Sequence, residues 1–257
     1  MMATVRCVTF NLEHGRPARE GIDDYFSRAL AQLRDVDAGV VLVQEADGAA
    51  RDWVTHSGGG HVHDIASFLG MNWVYAPSAF GYGVGVLSRF PIVAARYLRL
   101  PPVVRPVYRK PNGKIHVRWP EPRVALYALL DSGSHPLIVG TTHLDIDQQA
   151  APHQLRITAT GFSRVADHWG IDSSSSSFLL TGDLNMRPDA VESALAEVPV
   201  GIAAPRNVLA TGLTYPHNEP RWQIDHVLGY RINAIHSEVL STSISDHAGL
   251  VADIQPF

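Results

Sequence analysis

Valine-rich apolar runs recur along this chain, and nearly every one ends on an acid, an amide or a histidine. Asn11 and Glu13 follow VRCVTF, Glu45 closes VVLVQE, and His143 closes PLIVGTTH. Asp183 and Asn185 end SFLLTGDLN, Asp225 sits in QIDHV, and Asp246 and His247 in ISDH. Runs of this length and composition read as buried strands, which deliver their last side chains to the rim of a sheet. A hydrophobic core has no use for carboxylates there. A divalent cation takes oxygen ligands, and a phosphoryl group takes hydrogen-bond donors.

The order of elements is that of an α/β protein. Residues 5–12 and 40–46 read as strands, and between them 23–36 spaces Tyr25, Phe26, Leu30 and Leu33 as a helix, with Asp23 or Asp24 as N-cap. NWVYAP, GVGVLSR and PIVAARYLRL (72–100) read as successive strands, and 123–130 with 136–145 as a hairpin. A helix is expected over 152–169, with Leu155, Ala159, Phe162 and Val165 on one face. The five serines 173–177 read as a flexible connection. A helix at 189–197 and three closing strands complete the chain. The polar strand ends come from both halves, so a shared site requires residues 1–257 to form a single domain.

Composition narrows the class. The 257 residues are 46% hydrophobic and 18% charged, which supports a soluble globular core. Net charge is −4, so no global basic field recruits nucleic acid. No apolar stretch approaches the ~20 residues of a membrane span, and no basic-then-apolar signal opens the sequence, so a cytoplasmic location is expected. Cys7 is the one cysteine and reads as a buried thiol.

The residue types then indicate chemistry. Glu13 and Glu45 end strands that an intervening helix would set side by side, a geometry suited to magnesium. Asp183 and Asn185, two apart on an extended segment, share one face. Asp225 can orient a histidine through Nδ1, with His247 as the partner, and His143 can donate to the same phosphate. Such an inventory serves phosphoryl transfer by positioning and electrostatics. Other motifs fail: His61-Val-His63-Asp64 lacks the rest of the metallo-β-lactamase signature and reads as a loop before the helix DIASFL. Gly81, Gly83 and Gly85 precede a strand rather than a nucleotide-binding helix, and read as points of close backbone approach.

The ordered set N-x-E, QE, GVGVLSR, THLD, GDLN, T-Y-P…IDH and SDH resembles the endonuclease/exonuclease/phosphatase superfamily over about residues 4–256. The resemblance implies a four-layer α/β sandwich, two packed mixed β-sheets flanked by helices. It implies Mg2+ or Mn2+ as cofactor, with Glu45 as principal metal carboxylate and Glu13, Asn11 and Asp246 near the metal positions. By the same resemblance, Asn11, Asn185 and His143 face the phosphate, Asp183 and Asn185 place the attacking water, and Asp225–His247 is the Asp–His dyad. Gln154 and Arg156 do not match the family's Arg-and-Gln spacing after THL and are left out of the site.

The substrate is expected to be a phosphate ester, either a nucleic acid or a small phosphorylated molecule, with no obligate protein partner. Residues 101–122 carry Arg105, Arg109, Lys110, Lys114 and Arg118 against one acid, Glu121, interleaved with Tyr108, His116 and Trp119. Such a segment fits a polyanion, with Tyr108 and Arg109 as substrate-binding candidates, and fits equally a solvated hairpin around Pro111-Asn112-Gly113. A phosphodiesterase of the nuclease kind is expected first. The alternatives are a small-molecule or lipid phosphoesterase, and a catalytically silent module that binds a phosphorylated ligand.

Overall fold

In each of two six-stranded sheets, one pair of strands runs parallel at the centre, and the rest of the fold is built around those two pairs. The computed structural model describes residues 4–13, 22–47, 60–78, 81–102, 107–109, 115–117, 121–133, 136–241 and 245–257. For 22–26, 107–109 and 115–117 it describes backbone alone.

In the first sheet the parallel pair is β1 (Val5–Asn11) and β2 (Val40–Asp47), joined by helix α1 (Ile22–Val36). A parallel connection needs such a crossover, because the chain must return to the starting edge. Antiparallel strands flank the pair: β4 (Tyr82–Ser88) and β3 (Asn72–Pro77) beyond β2, β14 (Gly249–Pro256) and β13 (Ile232–Leu240) beyond β1. In the second sheet the parallel pair is β9 (Leu137–His143) and β10 (Ser177–Asp183), joined by helix α3 (Ala150–His168). Here β8 (Arg123–Leu130) and β5 (Ile92–Leu100) lie beyond β9, and β12 (Asp225–Tyr230) and β11 (Asn207–Ala210) beyond β10. A separate small hairpin pairs β6 (Val107–Arg109) with β7 (Ile115–Val117).

Strand alternation sorts the side chains into layers. Val5, Cys7, Leu42, Val86, Leu126, Val139, Leu179 and Leu250 fill the space between the sheets. The opposite face of the first sheet packs Val8, Phe10, Val41 and Val43 against α1 and helix α2 (His61–Leu69), through Leu33, Val62 and Ile65. The second sheet packs Tyr127, Ile138 and Phe178 against α3 and α4 (Pro188–Ala196), through Leu155, Phe162 and Leu195. The result is helix, sheet, sheet, helix: the four-layer sandwich expected from the sequence.

Near one end the inter-sheet core turns polar. Gln44, fully buried, donates through Nε2 to the Thr9 hydroxyl at 3.0 Å and the Thr141 hydroxyl at 2.8 Å, tying the two sheets together. Among the described residues no helix is long and apolar enough to cross a membrane.

Several local expectations are corrected. α1 begins at Ile22, so Asp23 and Asp24 lie inside its first turn rather than at the cap. α2 begins at His61, so the HVHD segment is helix rather than loop. The serine run is an ordered turn: the Ser174 hydroxyl donates to the Asp172 carboxylate, and those of Ser175 and Ser176 to the Asp172 carbonyl. Ser177 already opens β10, its hydroxyl on the Arg231 carbonyl. Strand β11 was not expected from the sequence at all. The close backbone approach expected of the glycines holds at Gly83, where a β-carbon would run into the Ala76 carbonyl, but not at Gly81, which has no neighbour there, and at Gly85 the close neighbours are the Val62 and Val43 side chains.

Candidate active site

The carboxyl ends of both parallel pairs open onto one place. In the second sheet the ladder sets His143, Asp183 and Asp225 side by side, because Asp183 of β10 is in register with His143 of β9 and with Asp225 of β12. In the first sheet Asn11 of β1 is in register with Gln44 of β2, and Glu45 follows. Between Val43 and Ala46 the β2–β4 pairing shifts register, and Glu45 sits in this bulge with φ 49°. Bulges re-aim a side chain, and this one turns Glu45 out of the alternation.

Asp183 Oδ2 is the hub. Asn11 Nδ2 donates to it at 3.0 Å from the facing sheet and lies 3.2 Å from Glu45 Oε1. His143 Nε2 lies 3.5 Å and His247 Nε2 3.6 Å from the same oxygen. His143 Nδ1 is 3.7 Å from Glu45 Oε1, so that imidazole stands between the two carboxylates. His247 Nδ1 is 2.8 Å from Asp225 Oδ2, the Asp–His pair expected from the sequence. The contact orients the ring so that Nε2 faces the hub.

Three further groups frame this centre. The Asn185 amide N–H donates to Asp183 Oδ1 at 2.9 Å, and Asn185 Nδ2 donates to the Leu144 carbonyl at 3.1 Å. The Glu13 N–H donates to Asn11 Oδ1 at 3.0 Å, and Glu13 Oε2 accepts from the Asp246 amide at 3.1 Å. Glu13 thus joins the end of β1 to the segment carrying Asp246 and His247. Glu13, Glu45 and Asn185 all hold left-handed backbone, at φ 45°, 49° and 51°. Non-glycine residues avoid that region, and strain of this kind gathers where a side chain must be aimed.

The charge balance fits a cation. Five carboxylates (Glu13, Glu45, Asp183, Asp225, Asp246) face two imidazoles. Burial, then the Asp225 charge, pushes the Asp183 carboxyl well above its ordinary range. Burial, then the charges of Asp246 and Glu45, raise the Glu13 carboxyl above its ordinary value. For His247 burial works against the charged form, but the charge and hydrogen bond of Asp225 outweigh it and raise the imidazole to about 10. Asp225 Oδ1 is buried without a hydrogen-bond partner. Ligand atoms of Glu45, His143 and Asp183 lie within 4.8 Å of one another, as do those of Asp183, Asp225 and His247. Such oxygen-rich sets suit a hard divalent ion.

Tyr108 and Arg109 lie on β6, with Tyr108 opposite His116; the description there is of backbone, and most of the basic segment lies outside the described residues. Two neighbours of the site had been given no role from the sequence. The Tyr215 ring packs on the His247 ring at 4.9 Å and stacks with Trp222 at 6.1 Å. Thr214 Oγ1 accepts from the amides of Ile224 and Asp225, which fixes the start of β12. Both lie in the T-Y-P motif, which was the available signal.

The sequence profile described as Endonuclease/Exonuclease/phosphatase family matches residues 8–247. No curated protein sequence matches the chain. Among solved structures, an endonuclease/exonuclease/phosphatase from Bacteroides vulgatus superposes with TM-score 0.71 at 15% identity, covering 99% of this chain and 100% of that one. The mannosyl-6-phosphatase of Bacteroides thetaiotaomicron VPI-5482 gives 0.70 at 12% identity, over 98% and 99% of the two chains. TDP2 of D. rerio, complexed with a single-strand DNA product, gives 0.68 at 14%, over 98% and 99%. At such identities the likeness is one of fold.

Proposed function

Because this chain belongs to the Endonuclease/Exonuclease/phosphatase family, we propose that it is a Mg2+- or Mn2+-dependent hydrolase of a phosphodiester, acting by in-line attack of water. The observation that carries this reading is the hub at Asp183 Oδ2, reached by Asn11 at 3.0 Å, His143 at 3.5 Å and His247 at 3.6 Å. One buried carboxylate so surrounded by donors is placed to orient a water and accept its proton.

Glu45 would hold the ion, with Glu13, Asp246 and the Asn11 amide nearby. When bound, the ion supplies charge neutralisation to the phosphate and leaving oxygens. His143 and Asn11 donate to non-bridging phosphate oxygens. His247, held in orientation by Asp225, presents Nε2 to the same group. Asn185 braces Asp183 through its backbone amide, and its side chain steadies the strand end that carries His143. Residues 1–257 act as one catalytic domain.

The basic, aromatic segment at 101–122 favours a polynucleotide as the diester, with Tyr108 and Arg109 contacting it. A small phosphorylated molecule is the second reading, favoured by the net charge of −4 and by likeness to a mannosyl-6-phosphatase. The test is hydrolysis by metal-stripped protein with Mg2+ or Mn2+ restored, and His247→Ala as control. The panel holds plasmid DNA, single-stranded RNA, bis-4-nitrophenyl phosphate, a sugar phosphate, an inositol polyphosphate and sphingomyelin. Metal-dependent cleavage of a polynucleotide, lost in the variant, is the expected result. Turnover of small or lipid phosphates alone overturns the nuclease reading and keeps the hydrolase. Metal binding with no turnover on any ester overturns both, in favour of a phosphate-binding module.

A further inference from the structure

Gln154 lies on α3, behind the strand ends rather than among them, and its side-chain amide is fully buried. Its Oε1 accepts from the Asp145 amide at 2.9 Å, and its Nε2 donates to the Pro101 carbonyl at 3.0 Å. Asp145 stands two residues beyond His143. Leu144, between them, is itself fastened twice to the site: its N–H donates to the Asp183 carbonyl at 3.0 Å, and its carbonyl accepts from Asn185 Nδ2 at 3.1 Å. Pro101 follows the end of β5 and leads into the basic segment. One buried amide therefore holds the turn on which Asn185 rests, and the root of the segment proposed to meet substrate.

A glutamine in a core needs partners for both ends of its amide, and any pair of backbone groups would satisfy it. What distinguishes this one is where the partners lie. With Asp145 fixed from behind, Leu144 has one position in which it can serve both Asp183 and Asn185. Without it, the last residue of β9 and the turn after it lose their rear support, and His143 and Asn185 with them. Groups that orient the residues around a metal or phosphate typically contribute ~10- to 100-fold to activity without touching substrate.

We infer that Gln154 is a positioning residue of this site, holding the His143–Asp145 turn so that His143 stays aimed at the phosphate and Asn185 keeps its brace on Asp183. The inference rests on the hydrolase reading above. Its test uses the full-length protein with Mn2+ and bis-4-nitrophenyl phosphate, comparing wild type, Gln154→Leu, Asn185→Ala, the double variant and Gln154→Glu. Gln154→Leu is expected to lower kcat ~10- to 100-fold with KM within about threefold. The double variant is expected to lose less than the product of the two single losses, because both substitutions weaken one assembly. A kcat per folded molecule equal to wild type, or losses that multiply in the double variant, overturns the inference.

Should Gln154→Leu fail to fold, Gln154→Glu carries the test. Its neutral carboxyl keeps both an acceptor for Asp145 and a donor for Pro101, and loses the donor on ionising. A kcat near wild type at acid pH, with a new descending limb as pH rises, is expected; a profile superposable on wild type overturns it. Amide hydrogen exchange by NMR gives a readout free of activity. In Gln154→Leu, exchange at the Asp145 N–H and the Asn185 side-chain amide should accelerate; unchanged protection overturns the inference. A wild-type protein that turns over no ester marks failure of the hydrolase reading instead, and the exchange measurement still decides the role of Gln154.

Discussion

Three side chains of the candidate site, from Asn11, His143 and His247, converge on Asp183 Oδ2. Removing its carboxylate, the Glu45 carboxylate or the His247 ring is expected to cost at least ~10²-fold in kcat while the fold persists. Steady-state kinetics beside circular dichroism of Asp183→Asn, Glu45→Ala and His247→Ala checks this, and near-normal turnover in any variant removes that residue from the site. The residue before Asp183 is constrained differently. Gly182 has φ 144°, and a β-carbon there would run into the Thr142 carbonyl. Gly182→Ala should therefore destabilise by about 3 kcal/mol, read by urea denaturation, although the added methyl carries no charge and touches no substrate.

At the scale of elements, strands carry the functional groups and pairing decides which groups meet. The β1–β14 pair shows how charge enters that pairing: Arg6 and Asp253 face each other in register, with Arg6 Nε 2.7 Å and Nη2 2.8 Å from the carboxylate. The hydrogen bond from Arg6 holds the Asp253 carboxyl below its ordinary range. Its stabilisation is complete above an unfolded aspartate's pKa near ~4 and is lost as pH falls through the lowered folded value. Arg6→Met should cost no more than ~1 kcal/mol at neutral pH, the pair being partly exposed, and should flatten the acid limb of the stability profile. The strand ends were legible because apolar runs broke off at Asn11, Glu45, His143 and Asp183. Strand β11 was not, since Asn207–Ala210 is four residues long and half exposed, with too little periodicity to see. The serine run misled because serines signal loops by composition, whereas here Asp172 gathers three of their hydroxyls into a turn. Gln154 was set aside because its spacing after THL departs from the family pattern, and its partners, being backbone groups, leave no mark on the sequence of side chains.

Across the whole molecule the two sheets repeat one plan, a parallel pair with a crossover helix, and meet with both carboxyl ends at the same rim. The site therefore exists only while the sheets stay together, and a cation held at Glu45 would stabilise the folded chain. Mg2+ or Mn2+ at ~100 times its Kd is expected to add about 2.7 kcal/mol, seen as a rise in Tm that EDTA reverses and Glu45→Ala abolishes. A Tm indifferent to metal in wild type would remove the metal site. The same dependence on sheet contact governs Cys7. The thiol lies between the sheets with no exposure, its Sγ 3.3 Å from the Ala252 carbonyl, and burial pushes its pKa up to about 12. A thiol reagent can thus reach the chain's single cysteine only when the layers part. Its labelling rate, followed by mass spectrometry in native buffer, becomes a clock for opening of the sandwich, and bound metal should slow that clock.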